Sequence, residues 1–368
     1  MNFAFSEEQT MMADVVRDLL ARECGSAALR SRMTTACSFD RDRWRKLLEL
    51  GLAGVLAPED AGGLGLGGTD FVQIAEACGH ACLPEPLVDY AGVVLPLLAE
   101  CESDAAREML AQGLETGAPI ALAHPQTPWI VAANAASAFV LPGPDGLRLL
   151  AGEEVRRVQQ PGIDPLRQLF TVSAEEAAGA QIAAHEAMPA LLARAAERGA
   201  VFTAAELVGI AQACVDLAVA YAGERQQFGR AIGANQAIKH HLASAQVKIE
   251  FARPVVHAAA ACIPAGPGFP PQSLETRARI SHAMLAAGEA ATLAARTALQ
   301  VHGAMGYSWE VDVHLYLKRA LSLTHRWGGP EHHRQRIAER ILTAPLGPDR
   351  LFPQVAEEIE TTPMKRTA

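Results

Sequence analysis

The chain has 368 residues, a formal net charge of −9, and half of its residues are apolar. This length is sufficient for two or three packed units, and the composition is typical of a compact soluble fold. Interspersed charges with an acidic excess argue against nucleic acid as a partner. No uncharged apolar run approaches about 18 residues, which argues against a membrane span. The amino terminus lacks the basic start and apolar core of a signal peptide.

Residues 1–116 predict a helical domain. Ser6 and Gln9 have the spacing of a capping box at the start of a first helix, and Asp40 is well suited to cap a second helix. A third helix is predicted over 69–79, after a glycine-rich loop. That loop contains Gly-x-Gly-x-x-Gly, but a dinucleotide-binding turn needs a strand before it and a βαβ unit around it. We therefore interpret the segment as a loop between helices.

The helical pattern of apolar residues is replaced by a different pattern between 117 and 182. Four short apolar runs are separated by Pro, Gly, Asn and Asp, and Gly143-Pro144-Asp145-Gly146 is a turn signal between two of them. These patterns predict a small β domain. From 183 to 350 the sequence is rich in alanine with apolar residues at helical spacing, which predicts a helical bundle, and 351–368 resembles a loose tail. The predicted fold class is mainly α with a small middle β domain.

Seven cysteines are spread over the chain without a Cys-x-x-Cys pair. An odd number at loose spacing fits neither a disulfide framework nor a zinc cage, and it is typical of a reducing, cytoplasmic location. Histidines are frequent late in the chain, but the adjacent pair His332-His333 points to two different faces of a helix. Metal ligands on one helix need a spacing of three or four residues, so we predict no metal site.

Two segments of the helical region have the features of a ligand site. The first, 224–230, is a corner after a long helix where Arg225 and Arg230 flank Phe228. Such a corner can bind phosphates and a purine, or it can be a solvated helix end. The second, 300–307, contains small residues that let a backbone approach a flat ligand closely, or that simply end the helix.

Together these segments resemble the two signatures of the acyl-CoA dehydrogenase family. The corner followed by Gln236-Ala237-Ile238 is similar to one signature, and Gln300 through Tyr307 with the stretch 314–320 is similar to the other. Residues 5–9 and 58–63 resemble the family's N-terminal helical domain. The resemblance covers nearly the whole chain. It implies a helical domain, a β-barrel-like domain (here shortened) and a C-terminal four-helix bundle.

The resemblance implies FAD held where subunits meet, an acyl-CoA substrate and electron-transfer flavoprotein as the acceptor. The implied reaction is α,β-dehydrogenation of the thioester, in which a carboxylate removes the α proton and the flavin takes a hydride from the β carbon. The implied cofactor contacts are Arg225 with the pyrophosphate, Phe228 with the adenine end, and Gln236, Gln300, Gly303 and Ala304 with other parts of the FAD of a neighbouring subunit.

The sequence departs from the family pattern at the catalytic base. The usual glutamate position matches Trp327 or Gly328, and the alternative position of some relatives matches approximately Gly199. None of these residues can take a proton. Glu206 lies two turns further along the same helix, but a displacement of even about 1 Å greatly slows proton transfer. The β domain also lacks the family's stretch that lines flavin and thioester.

Loss of these features is what a non-catalytic subunit tolerates. Some bacterial members of the family, acting on steroid side chains or dicarboxylic acyl-CoAs, pair an active subunit with a degenerate one as α2β2. We expect this chain to be the second subunit of such a pair, completing the FAD site of a homologous catalytic subunit. The alternatives are a self-sufficient homotetramer with Glu206, Glu331 or another carboxylate as base, a flavoprotein of secondary metabolism acting on a carrier-bound acyl group, and a scaffold protein without flavin.

Overall fold

A computed structural model of the chain describes residues 4–35, 37–175, 178–266 and 273–343. The predicted tail, 351–368, lies outside the described residues. That the chain divides into separately packed units at 116/117 and 182/183 stays a prediction. The change of element type falls close to both positions, since the last N-terminal helix ends at Thr116 and the last strand of the middle region ends at Ala184.

The N-terminal region is helical, as predicted. The Ser6 hydroxyl accepts a hydrogen bond from the Gln9 backbone N–H, and the Gln9 side chain accepts one from the Ser6 backbone N–H. Asp40 accepts from the backbone N–H groups of Asp42 and Arg43, which confirms the second predicted cap. The helices are α1 (Glu7–Glu23), α2 (Ser26–Met33), α3 (Arg41–Glu49), α4 (Gly68–His80), α5 (Leu87–Asp89), α6 (Leu95–Ala99) and α7 (Asp104–Thr116), with a π-helical turn at Tyr90–Val94.

The glycine-rich segment connects helices, so the interpretation as an inter-helix loop is confirmed. It follows a 3-10 turn at Glu59–Ala61 and leads into α4. A Cβ atom at Gly68 would lie 2.4 Å from the carbonyl oxygen of Ala260. This glycine is therefore required because the start of α4 packs directly against the end of a C-terminal helix.

The middle region forms two small sheets with strand orders β1-β3-β4-β7 and β2-β6-β5. The predicted turn joins β3 and β4, whose register pairs Gly143 with Gly146. A small core that includes Phe139, Leu150 and Phe170 lies within this region. The strands are β1 (Ile120–Leu122), β2 (Ile130–Val131), β3 (Ala138–Gly143), β4 (Gly146–Ala151), β5 (Arg156–Gln160), β6 (Leu169–Ser173) and β7 (Ala180–Ala184).

The C-terminal region is helical, and its central helix is α10, which packs against α8, α9, α11 and α12. The predicted bundle is thus present as α8 to α11, with α12 against α10. Helix α8 is long and apolar enough to cross a membrane, but 83% of its most apolar window is buried inside the protein, as in a core helix. The elements are α8 (Met188–Glu224), β8 (Gln226–Gln227), β9 (Arg230–Ala231), α9 (Gln236–Ala260), α10 (Leu274–His302), α11 (Val313–Thr324) and α12 (Gly329–Thr343).

Buried ion pairs join the three regions. Arg319 on α11 pairs with Asp164 from the loop between β5 and β6, and both side chains are almost fully buried. Arg167 from the same loop pairs with Asp89 on α5, and Asp89 also forms an ion pair with Arg326. Because removing one partner of a buried pair leaves an uncompensated charge, these contacts fix how the regions meet.

Candidate active site and cofactor surface

Trp327, at one of the two positions that match the usual base, is buried in the turn between α11 and α12. Only 3% of the residue is exposed. Its indole N–H donates to the hydroxyl of Thr203 on α8 at 3.2 Å, and the ring of His124 lies edge-on to it at 5.3 Å. The guanidinium of Arg326 lies 5.2 Å from the ring centroid. The indole is therefore held by packing, a hydrogen bond and a cation–π contact.

The indole of Trp327 also occupies the space beside Gly199, the position that matches the alternative base. A Cβ atom at Gly199 would lie 2.2 Å from the indole ring. At Gly328, where φ is +108°, a Cβ atom would lie 2.4 Å from the ring of His332. Without rearrangement, neither glycine position can carry a carboxylate side chain, and the third position is filled by the indole.

Glu206, the displaced candidate base, is buried beside the ion pairs that join the three regions. Burial raises the pKa of its carboxyl group, and the guanidinium of Arg167 opposes that rise. Its Oε2 atom has no hydrogen-bond partner among the described residues. The role of Glu206 as a base stays a prediction, and its surroundings favour a carboxyl that keeps its proton.

A small cavity lies where the N-terminal region, the β region and the turn at Trp327 meet. Its volume is about 40 Å³, so it has room for a few water molecules, each of which needs about 10–15 Å³ of such space. Trp129, which in the sequence is part of a short apolar run, lies at this cavity and is half exposed. The walls include Asp89, Tyr90, Ile120, Trp129, Arg326 and Trp327.

The corner after α8 is open, in contrast. Phe228 is 98% exposed and has a positive φ of +52°, within the turn between β8 and β9. The guanidinium of Arg225 makes no hydrogen bond or ion pair with the described residues. Arg230, on the same hairpin, donates to the side-chain oxygen of Asn235 at 2.7 Å. The corner thus presents an unpaired cation and an uncovered aromatic ring.

The second candidate segment lies beside this corner in the same chain. The ring of His302, the last residue of α10, stacks on Tyr221, one turn before Arg225, with centroids 4.2 Å apart. Gly303 follows with a φ of +59°, and no atom lies within 4 Å of a Cβ placed there. Gln236, Gln300, Gly303 and Ala304 are all exposed. The structure therefore brings the two sequence-predicted segments together on one surface.

Within the described residues, no group of three or more His, Cys, Asp or Glu side chains is placed to hold a metal ion. His333 on α12 is buried, its Nδ1 lies 3.2 Å from the Ser281 hydroxyl, and burial lowers its pKa to about 3.

Family models match two stretches of the chain. The acyl-CoA dehydrogenase N-terminal domain matches residues 6–117, and the acyl-CoA dehydrogenase C-terminal domain matches residues 190–342. The chain belongs to the acyl-CoA dehydrogenase family, whose members are FAD-dependent oxidoreductases acting on CH–CH donors of acyl-CoA.

Individual relatives agree with this assignment. The chain is 33% identical over 344 residues to acyl-CoA dehydrogenase IpdE2 of Mycobacterium tuberculosis, covering 92% of this chain and 99% of that protein. Its fold is similar to that of a chain in the crystal structure of the ChsE4-ChsE5 complex from Mycobacterium tuberculosis, with a TM-score of 0.79 and 20% identity, covering 94% of this chain and 100% of that chain. It is also similar to butyryl-CoA dehydrogenase from Megasphaera elsdenii, with a TM-score of 0.81, 18% identity, and 93% and 100% coverage. The roles of the individual site residues stay predictions.

Proposed function

We propose that this chain is the non-catalytic subunit of a heteromeric, FAD-dependent acyl-CoA dehydrogenase. In an α2β2 assembly it would complete the FAD site of a homologous catalytic subunit, which supplies the base and binds the acyl-CoA. The observation that carries this proposal is the contact between Trp327 and Gly199, because one indole ring fills both places where a base is expected.

The filled space at the base position is stronger support for a non-catalytic role than the missing glutamate is. A missing base alone leaves a pocket that another carboxylate can enter. Here the indole is anchored to Thr203 and His124, and the adjoining cavity of about 40 Å³ is far smaller than the ~300–1,000 Å³ typical of ligand pockets. Glu331, another candidate base, is exposed at the start of α12 and pairs with Arg334.

The open surface supports a role in binding FAD, which when bound supplies the hydride acceptor for the reaction. The unpaired Arg225 guanidinium suits a pyrophosphate, since charge-assisted hydrogen bonds to phosphate are among the strong ones. The exposed ring of Phe228 suits the flat face of adenine. The open space at Gly303 lets a ligand approach the backbone closely. These groups bind and orient, and none of them moves a proton.

Two further features complete the proposal. Electron-transfer flavoprotein would accept the electrons from the assembled enzyme. A cytoplasmic location is supported by seven free cysteines, five of which are buried.

The proposal is tested by flavin content and turnover of the chain alone and after co-expression with candidate catalytic homologues. Butyryl-CoA and a steroid side-chain acyl-CoA serve as probes. We expect the chain alone to be colourless and inactive, and the co-purified pair to contain FAD that bleaches with one of the probes. A homotetramer with one FAD per chain and turnover on its own would overturn the proposal. Glu206→Gln and Glu331→Gln would then identify the base, whereas a colourless pair would indicate a scaffold protein.

A further inference from the structure

The turn that follows α10 is held at both of its ends. At its start, His302 stacks on Tyr221, and its Nδ1 donates to the carbonyl oxygen of Ala298 at 2.8 Å. At its end, Asp312 and the backbone of Trp309 are held by a residue from the N-terminal region, Arg30 on α2. Between these two anchors lies the open backbone at Gly303.

Arg30 makes a multidentate contact with the turn. Its Nε and Nη2 atoms donate to one carboxylate oxygen of Asp312 at 2.9 and 2.7 Å, and its Nη1 donates to the carbonyl oxygen of Trp309. The Arg30 and Asp312 side chains are only 27% and 17% exposed. Partial burial and several hydrogen bonds distinguish this pair from exposed ion pairs, which contribute little to stability.

We propose that Arg30 is a positioning residue for FAD binding: it fixes the turn 303–312 in the conformation that receives the cofactor. This inference rests on the proposed function. The guanidinium does not touch the proposed cofactor contacts. It acts through the carbonyl of Trp309 and the carboxylate of Asp312. The backbone at Gly303 and Ala304 is therefore already ordered before FAD binds. A turn that is already ordered loses less conformational entropy on binding.

The simpler explanation is that Arg30 only stabilises the fold, and a second ion pair provides the matched control. Arg253 on α9 pairs with Glu76 on α4 at 3.0 Å, and the two side chains are 23% and 18% exposed. This pair also joins the N-terminal to the C-terminal region, but neither residue is in the turn. Arg30→Gln and Arg253→Gln therefore remove the same charge from contacts of the same kind.

The experiment has two readouts, one of which does not involve FAD. Hydrogen–deuterium exchange of the turn is measured on the chain alone, and FAD retention is measured on the complex with the co-purified catalytic subunit. We expect Arg30→Gln to accelerate exchange in 303–312 and weaken FAD retention by roughly tenfold each, which corresponds to about 1.4 kcal/mol, because the charge-assisted hydrogen bonds to the turn are lost. Arg30→Lys, which keeps the charge but loses the multidentate contact, should give an intermediate value. Arg253→Gln should lower the melting temperature about as much as Arg30→Gln does, without changing exchange in the turn or FAD retention.

Unchanged exchange in the turn of Arg30→Gln would overturn the inference whatever happens to FAD. Faster exchange with normal FAD retention would also overturn it, while leaving the proposed function intact. Equal effects of Arg253→Gln on FAD retention would show that the loss follows from general destabilisation. If the complex of the unsubstituted chain contains no FAD, the proposed function fails and the inference fails with it, whatever the exchange measurement shows.

Discussion

Two regions of the C-terminal helices differ sharply in how their side chains are covered. Around Trp327 the positions that match the family's base, Trp327, Gly328 and Gly199, are closed by packing, and the adjoining cavity is about 40 Å³. At the other end of α8, Arg225 and Phe228 stand uncovered beside Gly303. Both regions adjoin the same helix, α8, so general loss of function would not be expected to affect only one of them.

The contrast agrees with the proposal that this chain binds FAD but does not supply a base. An empty pocket in a protein interior forfeits packing contacts, so a large side chain that fills it stabilises the fold. An uncovered aromatic residue with positive φ, by contrast, adds strain without burial energy. Its presence beside an unpaired guanidinium is explained if another molecule covers it.

The largest effect is expected at Trp327. Replacing this buried indole with alanine should lower the free energy of unfolding by about 3–5 kcal/mol, the usual cost of removing a large aromatic side chain from a core. Urea denaturation measures the change. Trp129→Ala, at a half-exposed indole, is the control and should have a clearly smaller effect. Equal effects of the two substitutions would contradict the description of Trp327 as tightly packed.

Gly199 allows the same contact to be tested from its other side. Gly199→Ala alone should destabilise the protein by about 1–3 kcal/mol through overpacking, because its Cβ would lie 2.2 Å from the indole. In the Trp327→Ala background the same substitution should have little effect or be favourable. A double-mutant cycle measures this coupling, and strictly additive effects would show that the two positions do not share one space.

The sequence predicted that the residues on both sides of this contact cannot act as a base, but it did not predict that they touch. That Trp327, Gly328 and Gly199 cannot take a proton is visible from residue types, whereas the position of the indole over Gly199 depends on how α8 and the turn before α12 pack. The two helix caps were predictable because Ser6 and Asp40 act on the helices that they begin, and the long helices were predictable from apolar residues at helical spacing. Strands β5, β6 and β7 lie outside the four predicted apolar runs; the residues of β5 are polar and mostly exposed, and it is a strand only through pairing with β6. The Arg30 contact with Asp312 was missed for the same reason, since it joins distant parts of the chain.

His333, in the helix that follows Trp327, should make the fold sensitive to acid. Burial lowers its pKa to about 3, while an unfolded chain has a histidine pKa of about 6.5. Between these values the unfolded chain binds a proton that the folded protein does not bind. The stabilisation is therefore complete above pH 6.5 and is lost by about 1.4 kcal/mol per pH unit as the pH falls towards 3.

His333→Asn keeps a polar atom near the Ser281 hydroxyl and removes the titrating ring. Unfolding curves between pH 7 and 4 should show a weaker acid dependence for this variant. The matched control is His282→Asn, at an exposed position on α10, which should follow the unsubstituted protein. An unchanged pH dependence in His333→Asn would mean that the buried ring is protonated in the folded state.

Glu206 should show the opposite dependence on pH. Because burial raises its pKa in the folded protein, the folded state keeps a proton that the unfolded chain has already lost. Its contribution to stability is thus complete below the unfolded pKa and is lost as the pH rises through the folded pKa. We expect Glu206→Gln to become more stable relative to the unsubstituted protein as the pH rises from 4 to 8. A constant difference would indicate that Arg167 keeps the carboxylate ionised, which would revive Glu206 as a candidate base.

The smallest effect on stability, and the sharpest test of the open surface, is expected at Arg225. Arg225→Gln removes a cation without a partner among the described residues, so the free energy of unfolding should change by less than about 0.5 kcal/mol. In the complex with a catalytic subunit, the same substitution should weaken FAD retention by roughly 10- to 100-fold, because a guanidinium–phosphate contact contributes about 1.5–3 kcal/mol. Arg107→Gln removes another exposed cation, which pairs only with the exposed Asp104 on α7, and should change neither quantity by much. If Arg225→Gln retains FAD as well as Arg107→Gln does, the exposed corner does not bind the cofactor. The contrast with the closed base site would then not reflect a division between cofactor binding and catalysis.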